Sequence, residues 1–290
     1  MARTQRKEKT LHSLSLRQLM PKLAVLLLFS LPASPTPAQT PTQAGDDSLR
    51  TTRHTQLFGV GRTNLLDTYL SPVEYGGTSL YLLHRSERLA RWGKGRVSVQ
   101  GTYAGSIALP RSSADDDKAM DGSIEAAVAW HYNFPRTAAG TRLALGGMAG
   151  TTLGFTYLMR GGNNPAQGRW AADIGLSALC EQPFRVGRHT WQAAVQLDVP
   201  LLGVRFSPNY GQSYYEIFSL GHYDHNLCLT HPINAPTARL TALLNIPLWG
   251  ANVCVGYGAN VRQSEVNQLK YHSWNNCLLI GYVRRLRLLR

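Results

Sequence analysis

From about residue 95 to residue 284 the chain falls repeatedly into stretches where apolar residues alternate with small or polar ones over ten or more positions. A strand turns successive side chains to opposite faces, so each stretch makes a ribbon with one greasy and one wettable side. In Arg96 to Leu109, Val97, Val99, Tyr103 and Ile107 share one face, while Arg96, Ser98, Gln100, Thr102 and Ser106 share the other. Ile124, Ala126, Val128, Trp130 and Tyr132 oppose Glu125 and His131; Trp170, Ala172, Ile174, Leu176 and Ala178 oppose Asp173 and Ser177. Trp191, Ala193, Val195, Leu197 and Val199 face away from Gln192, Gln196 and Asp198, and Ala238, Leu240, Ala242, Leu244 and Ile246 face away from Arg239, Thr241 and Asn245. Val253, Val255, Tyr257, Ala259 and Val261 oppose Asn260 and Arg262. The 3.6-residue period of a helix fits none of these windows as well. Many such ribbons in series predict an all-β fold, a single antiparallel transmembrane barrel with its apolar faces in hydrocarbon and its polar faces around a lumen.

Strands are expected at 54–62, 78–88, 95–109, 122–134, 141–157, 169–182, 188–202, 214–230, 237–248, 251–263 and 270–284. Single-chain bacterial barrels use even numbers. An odd tally therefore means either a short strand missed in 64–71 or the C-terminal tail, giving twelve, or one segment outside the wall, giving ten; twelve is favoured. Pro110–Gly122, Arg160–Gly168 and Ser207–Ser213 read as long outward loops, and Pro135–Gly140 and Pro183–Gly187 as short periplasmic turns. A Trp249–Gly250 hairpin breaks that alternation.

Residues 1–38 carry a basic segment, an apolar run from Leu23 to Leu31 and small residues up to Ala38, which predicts a cleaved signal peptide. Translation from Met20 would give a signal of ordinary proportions. Residues 39–52 read as a flexible leader and 53–290 as the barrel. The net charge of +13 suggests a polyanion partner, but the first 22 residues contribute +5 and the last seven +4, so the body carries only +4 and a nucleic-acid partner is not expected. Cys180, Cys228, Cys254 and Cys277 match no zinc spacing, and those within strands read as small apolar residues.

Rings cluster at strand ends: Trp130, Tyr132 and Phe134 close one strand, Trp170 and Trp191 open two others, and Trp274 lies near a further end, as membrane-interface girdles require. The segment Gly59 to Gly77, with its core Asp67-Thr68-Tyr69-Leu70-Ser71-Pro72 and then Glu74-Tyr75 and Gly77, resembles the opening motif of an uncharacterised, domain-of-unknown-function family of outer-membrane barrels from Bacteroidota. The resemblance implies fold and location, not an activity. One departure is the C-terminus, where Leu278, Ile280 and Tyr282 build a terminal strand but Arg284-Arg285-Leu286-Arg287 follow. Arginine facing lipid costs roughly 2–4 kcal/mol at the bilayer midplane and about 0–1 near an interface, so this tail is expected in headgroups or water.

His222, Asp224, His225, Cys228 and His231 form the densest group of potential ligands, but His222 and His225 fall on opposite faces of an extended strand, so neither a metal nor another cofactor is expected. For a membrane-embedded lipid hydrolase, His272-Ser273 and His131 are the best candidates, without an evident acid partner. The polar face says more. Arg96, Gln100, Glu125, Asp173, Asp198, Arg239 and Arg262 would share the lumen, with Glu181, Gln192, Gln196 and Asn245 beside them. Both signs inside one bore predict cross-strand ion pairs and a narrow or occluded channel. The reading is therefore a monomeric, porin-like outer-membrane barrel, not an enzyme, whose partners are membrane lipid and the barrel-insertion machinery. The alternatives are a lipid hydrolase in the same membrane and a soluble exported barrel that binds a ligand inside.

Overall fold

A computed structural model describes residues 51–114, 116–160, 164–248 and 251–287; the expected signal peptide, and the expected leader except Thr51 and Thr52, lie outside the described residues. The elements run β1 (Thr51–Asp67), β2 (Ser71–Leu89), β3 (Val97–Ala108), β4 (Arg111–Ser112), β5 (Ala119–Asn133), β6 (Arg142–Leu158), β7 (Ala166–Val186), β8 (His189–Phe206), α1 (Tyr214–Phe218), β9 (Leu227–Thr230), β10 (Thr237–Leu248), β11 (Ala251–Val266) and β12 (Leu269–Arg287). Of the twelve strands, ten close a ring in the order β1-β2-β3-β5-β6-β7-β8-β10-β11-β12; β4 lies beside β2 and β9 beside β8. Every pair is antiparallel. Closure is made by β1 and β12, in register from Thr51 opposite Arg287 to Asp67 opposite Tyr271.

The segment expected as a wall strand at 214–230 is instead part of one long connection, residues 207–236, that carries α1 and β9. Its mixed pattern of tyrosines and polar residues mimics alternation, but Ser213 caps a helical turn there: its hydroxyl accepts from the Glu216 amide while Glu216 reaches back to the Ser213 amide. With 207–236 counted once, the connections alternate between the two ends of the barrel without exception, and the longest ones share an end. Both ends of the ring chain and the connections 90–96, 134–141, 187–188 and 249–250 lie at one end, the terminal rim; 68–70, 109–118, 159–165, 207–236 and 267–268 lie at the other, the loop rim. The β11–β12 turn needs left-handed backbone at both positions, and Asn267 and Gln268 adopt it with φ of 51° and 62°.

The alternation governs burial. Ile124, Ile174 and Leu278 on the outer face are 63 %, 57 % and 74 % exposed, while Gln100, His131 and Ser177 inside are 2 %, 0 % and 0 %. On β12 the outward Trp274 and Tyr282 stand eight residues apart, about 27 Å along a strand and about 20 Å along the axis at an ordinary tilt. The bore is not uniformly polar. Leu57, Tyr81, Leu83, Ala104, Cys254, Cys277 and Leu279 form a buried apolar cluster on one inner side, because a bore this narrow is packed like a core. All four cysteines are free.

Glycines on the inner face let strands coil tightly. A Cβ on Gly146 would lie 1.6 Å from the Trp130 carbonyl oxygen, whereas one on Gly105 would meet nothing nearer than 3.8 Å. Gly146→Ala is therefore expected to cost about 1–3 kcal/mol, the usual penalty of overpacking, and Gly105→Ala much less. Urea unfolding of barrels refolded in lipid vesicles measures both, and equal midpoints would contradict the close approach.

Candidate functional site

Charged side chains cross the bore in three layers. At the terminal rim, Arg53 and Arg142 face Glu87 and Glu181, and each carboxylate is shared by both guanidiniums. The Arg53–Glu87 and Arg142–Glu181 contacts measure 2.6 Å and 3.1 Å. Ser98 donates its hydroxyl to Glu87 at 3.0 Å, and Arg142 Nε donates to Asn133 at 2.7 Å. The square is held by four strands, β1, β2, β6 and β7, so no one hairpin can lose it alone.

The central layer is built around Arg239, which grips Asp198 through Nε at 2.9 Å and Nη2 at 2.7 Å and also reaches Glu125. Arg262 holds Glu125 at 3.0 Å and the Ser123 hydroxyl at 2.7 Å. Arg85 lies 3.7 Å from Asp198 and donates to Thr241 at 3.0 Å. Gln196 bridges to Gln100 at 2.7 Å and to Asp198 at 3.0 Å.

At the loop rim, Arg169 spans Asp67 at 2.7 Å and Asp121 at 2.8 Å, with its guanidinium 4.3 Å above the Tyr271 ring. Strands β1 and β7 stand five places apart in a ring of ten, so Arg53–Glu181 below and Asp67–Arg169 above are links across the full width of the bore. Between these layers remain two cavities, lined by charged side chains as well as apolar surface. The larger lies between the central layer and the loop rim, lined by Glu125, Arg169, Asp173, Arg205 and Arg262 among others; the smaller lies between the central layer and the terminal rim.

Of the residues expected in the lumen, Gln100, Glu125, Asp198, Arg239 and Arg262 meet in the central layer, and Asp173 faces the larger cavity. Arg96 does not. It sits exposed in the turn before β3 and donates to the Tyr132 hydroxyl at 3.1 Å on the outer surface, because period two holds only inside a strand and β3 begins at Val97. Among the expected girdle rings, Trp130, Tyr132 and Trp191 lie towards the terminal rim, where Tyr132 meets Phe134 and Trp191 meets Phe184; Trp170 and Trp274 lie towards the loop rim. Arg284 closes the lower band with its guanidinium 5.2 Å from the Tyr282 ring.

Sequence reading missed Arg53, Arg85, Glu87 and Arg142, and with them the terminal layer. The signal was obscured because on β2 the inward face also carries Tyr81 and Leu83, so polarity did not mark which side faced in.

The motif around 59–77 builds the loop rim. Asp67 anchors Arg169, and the Tyr75 hydroxyl donates to Asp117 in the 109–118 connection at 3.0 Å. The Tyr69 hydroxyl donates to the Gln212 carbonyl in the long connection at 3.0 Å. A Cβ on Gly77 would lie 2.5 Å from Pro110 Cα, so only glycine lets that loop close down. In the long connection, Tyr214 exchanges hydrogen bonds with the Gly168 backbone at 2.7 Å and 3.1 Å and stacks on Phe218, and burial pushes its phenol up to about 12. The Ser213 amide and hydroxyl hold the Glu216 carboxyl below its ordinary range.

The hydrolase candidates do not assemble. His272 points outward, stacked on Trp274 and bonded to Asn64, while Ser273 beside it points inward and is buried. His131 contacts Ser177 at 2.8 Å, but Ser177 donates its proton to Asp198, so the carboxylate holds the hydroxyl where activation needs it behind the imidazole. His131 Nδ1 has no partner. Among the described residues no group of three or more His, Cys, Asp or Glu converges on a metal position.

Fold and lumen together define a closed ten-stranded β-barrel with a charged, laced bore. The chain belongs to the family described as "Protein of unknown function (DUF3316)", which matches residues 21–290. A search of curated proteins finds no match. Among solved structures the chain is similar to the outer-membrane protease OmpT from Escherichia coli, at 7% identity and a TM-score of 0.47, covering 86% of this chain and 99% of that one. It is similar to the beta domain of the Bordetella autotransporter BrkA, at 12% identity and a TM-score of 0.43, covering 82% and 100%. An outer-membrane channel from Pseudomonas putida F1 matches at 10% identity and a TM-score of 0.34, covering 86% and 100%.

Proposed function

We propose that this chain is a monomeric outer-membrane β-barrel whose occluded bore serves narrow small-solute passage or a structural role. The observation that carries the reading is inversion. A closed ring exposes Leu82, Ile124, Ile174, Leu278 and Ile280 on its outside and buries arginine–carboxylate pairs inside. A soluble barrel would present this apolar belt to water, which single domains rarely do on such a scale. In a bilayer the belt is solvated by lipid, the two aromatic bands sit at the interfaces, and closure leaves no strand edge unpaired. The terminal rim then faces the periplasm and the loop rim the exterior, by the usual length asymmetry of barrel connections. Signal cleavage, delivery to the barrel-insertion machinery and a single-chain barrel complete the reading.

Two measurements test it. The purified protein should need detergent to stay in solution and should migrate faster on a gel unheated than boiled. In a planar bilayer its conductance should fall far below that of a large trimeric porin. Solubility without detergent points to the exported ligand-binding barrel instead, and porin-sized steps contradict the laced bore.

A further inference from the structure

The charges in the bore pair off almost completely. Arg53 and Arg142 are matched by Glu87 and Glu181, Arg169 by Asp67 and Asp121, and Arg85, Arg239 and Arg262 by Asp198 and Glu125. Among the described residues two inward charges have no opposite charge within 4.0 Å: Arg205 on β8 and Asp173 on β7, both lining the larger cavity. Asp173 stands opposite Gly203, which places Arg205 two residues along the neighbouring strand on the same face, a diagonal neighbour that is close without touching.

We propose that this cavity binds a small zwitterion of the amino-acid type, its carboxylate on Arg205 and its protonated amine on Asp173. The guanidinium is already positioned: Nη1 donates to the Ser264 hydroxyl at 2.5 Å, and its carbon lies 5.9 Å from the Tyr271 ring centre. Its Nε is buried with no partner, so the guanidinium carries hydrogen-bonding capacity that the protein leaves unused. Asp173 accepts no hydrogen bond from any described residue. Glycine at 203 is what leaves it room, since a Cβ there would lie 2.1 Å from its carboxylate oxygen. Leaving two opposite charges unpaired in a bore that pairs its other charges is costly unless something supplies both partners. A lone anion would satisfy Arg205 and leave Asp173 bare with Glu125 nearby; a lone cation would do the reverse. A zwitterion completes both and leaves the bore's charge unchanged.

This deepens the passage reading by naming a solute class, and it rests on solute reaching the lumen. Its test is equilibrium binding to the full-length barrel in detergent micelles, by calorimetry, with L-alanine, β-alanine and γ-aminobutyrate as zwitterions, acetate as the anion alone and methylammonium as the cation alone. At least one zwitterion should bind at least about tenfold more tightly than acetate or methylammonium, a gap that needs no variant to read. Arg205→Gln and Asp173→Asn should each weaken that zwitterion by a similar factor, in preparations that retain heat-modifiable migration. Acetate binding as well as the best zwitterion, or an unaffected Asp173→Asn, overturns the two-point site, as does no binding by any of the five. Failure here in a protein that still behaves as a low-conductance barrel removes this site alone, whereas loss of heat-modifiability and detergent dependence removes the barrel reading.

Discussion

Glu181→Ala should lower the unfolding free energy of the refolded barrel by about 3–5 kcal/mol, the cost of leaving a buried ion pair with one partner. Glu181 is 2 % exposed and is shared by Arg53 and Arg142, which also converge on Glu87. Its removal leaves two guanidiniums on one carboxylate at the bottom of the bore. The exposed Lys270–Glu265 pair at 3.5 Å is the control, and Glu265→Ala should change stability by less than about 0.5 kcal/mol. Pairing the loss with Arg142→Ala tests whether the square acts as a unit. The double variant removes one charge of each sign and should recover part of the loss, so the cycle should show a coupling of about 1–3 kcal/mol. Additive losses in urea titrations would mean that the four groups act independently and that the ring of strands, rather than the charged square, holds this end together.

Period two made the wall legible from the residues, and it did so where each strand has a strongly contrasted pair of faces. Ile124, Val128 and Trp130 against Glu125 and His131 leave no doubt about which way β5 turns, and the structure keeps that assignment. Three kinds of position were not legible. Arg96 obeyed the pattern in sequence but fell one residue outside its strand. Residues 214–230 alternated because a tyrosine-rich helical turn and a short outer strand follow one another, and the capping contact that decides the matter is local chemistry, not periodicity. The inward face of β2 was the third: Leu83, Arg85 and Glu87 share it, so hydrophobicity could not orient the strand and two of the bore's charges stayed hidden.

The resemblance over 59–77 carried location without mechanism, and the structure supplies a physical reason for those particular residues. They form the second half of β1, the first hairpin's turn and the start of β2, from which Asp67, Tyr69, Tyr75 and Gly77 reach the far wall and two different loop-rim connections. A residue set that ties together segments more than a hundred positions apart cannot be inferred from local pattern, since each partner looks unremarkable in its own neighbourhood. Tyr75→Phe keeps the ring but loses the Asp117 contact, so it should loosen the 109–118 connection while leaving barrel stability within about 1 kcal/mol, the worth of one hydrogen bond. Proteolysis of that connection in the folded protein, compared with unchanged urea midpoints, separates the two effects.

The second large effect concerns conductance, and it follows from the three layers being stacked along one bore. Constrictions in series add as resistances, so the tightest remaining layer sets the current whatever is done to the others. Thinning the central layer by Asp198→Ala with Arg239→Ala deletes one charge of each sign and leaves Arg262–Glu125 across it. The square of Arg53, Glu87, Arg142 and Glu181 below and the Arg169 bridge above stay in place, so conductance should rise less than about twofold. Adding Arg53→Ala with Glu181→Ala thins the terminal-rim layer, and further adding Asp67→Ala with Arg169→Ala removes the link across the loop-rim mouth. Only that combined variant should conduct well above the parent, by about threefold or more, because it alone thins all three layers, while Arg142–Glu87 and Arg262–Glu125 still cross the bore. Heat-modifiable migration of each variant confirms that a folded barrel is being measured. A full gain of about threefold from the central pair alone would mean that the loop-rim and terminal-rim layers do not obstruct ions, and that the barrel is closed at one plane only.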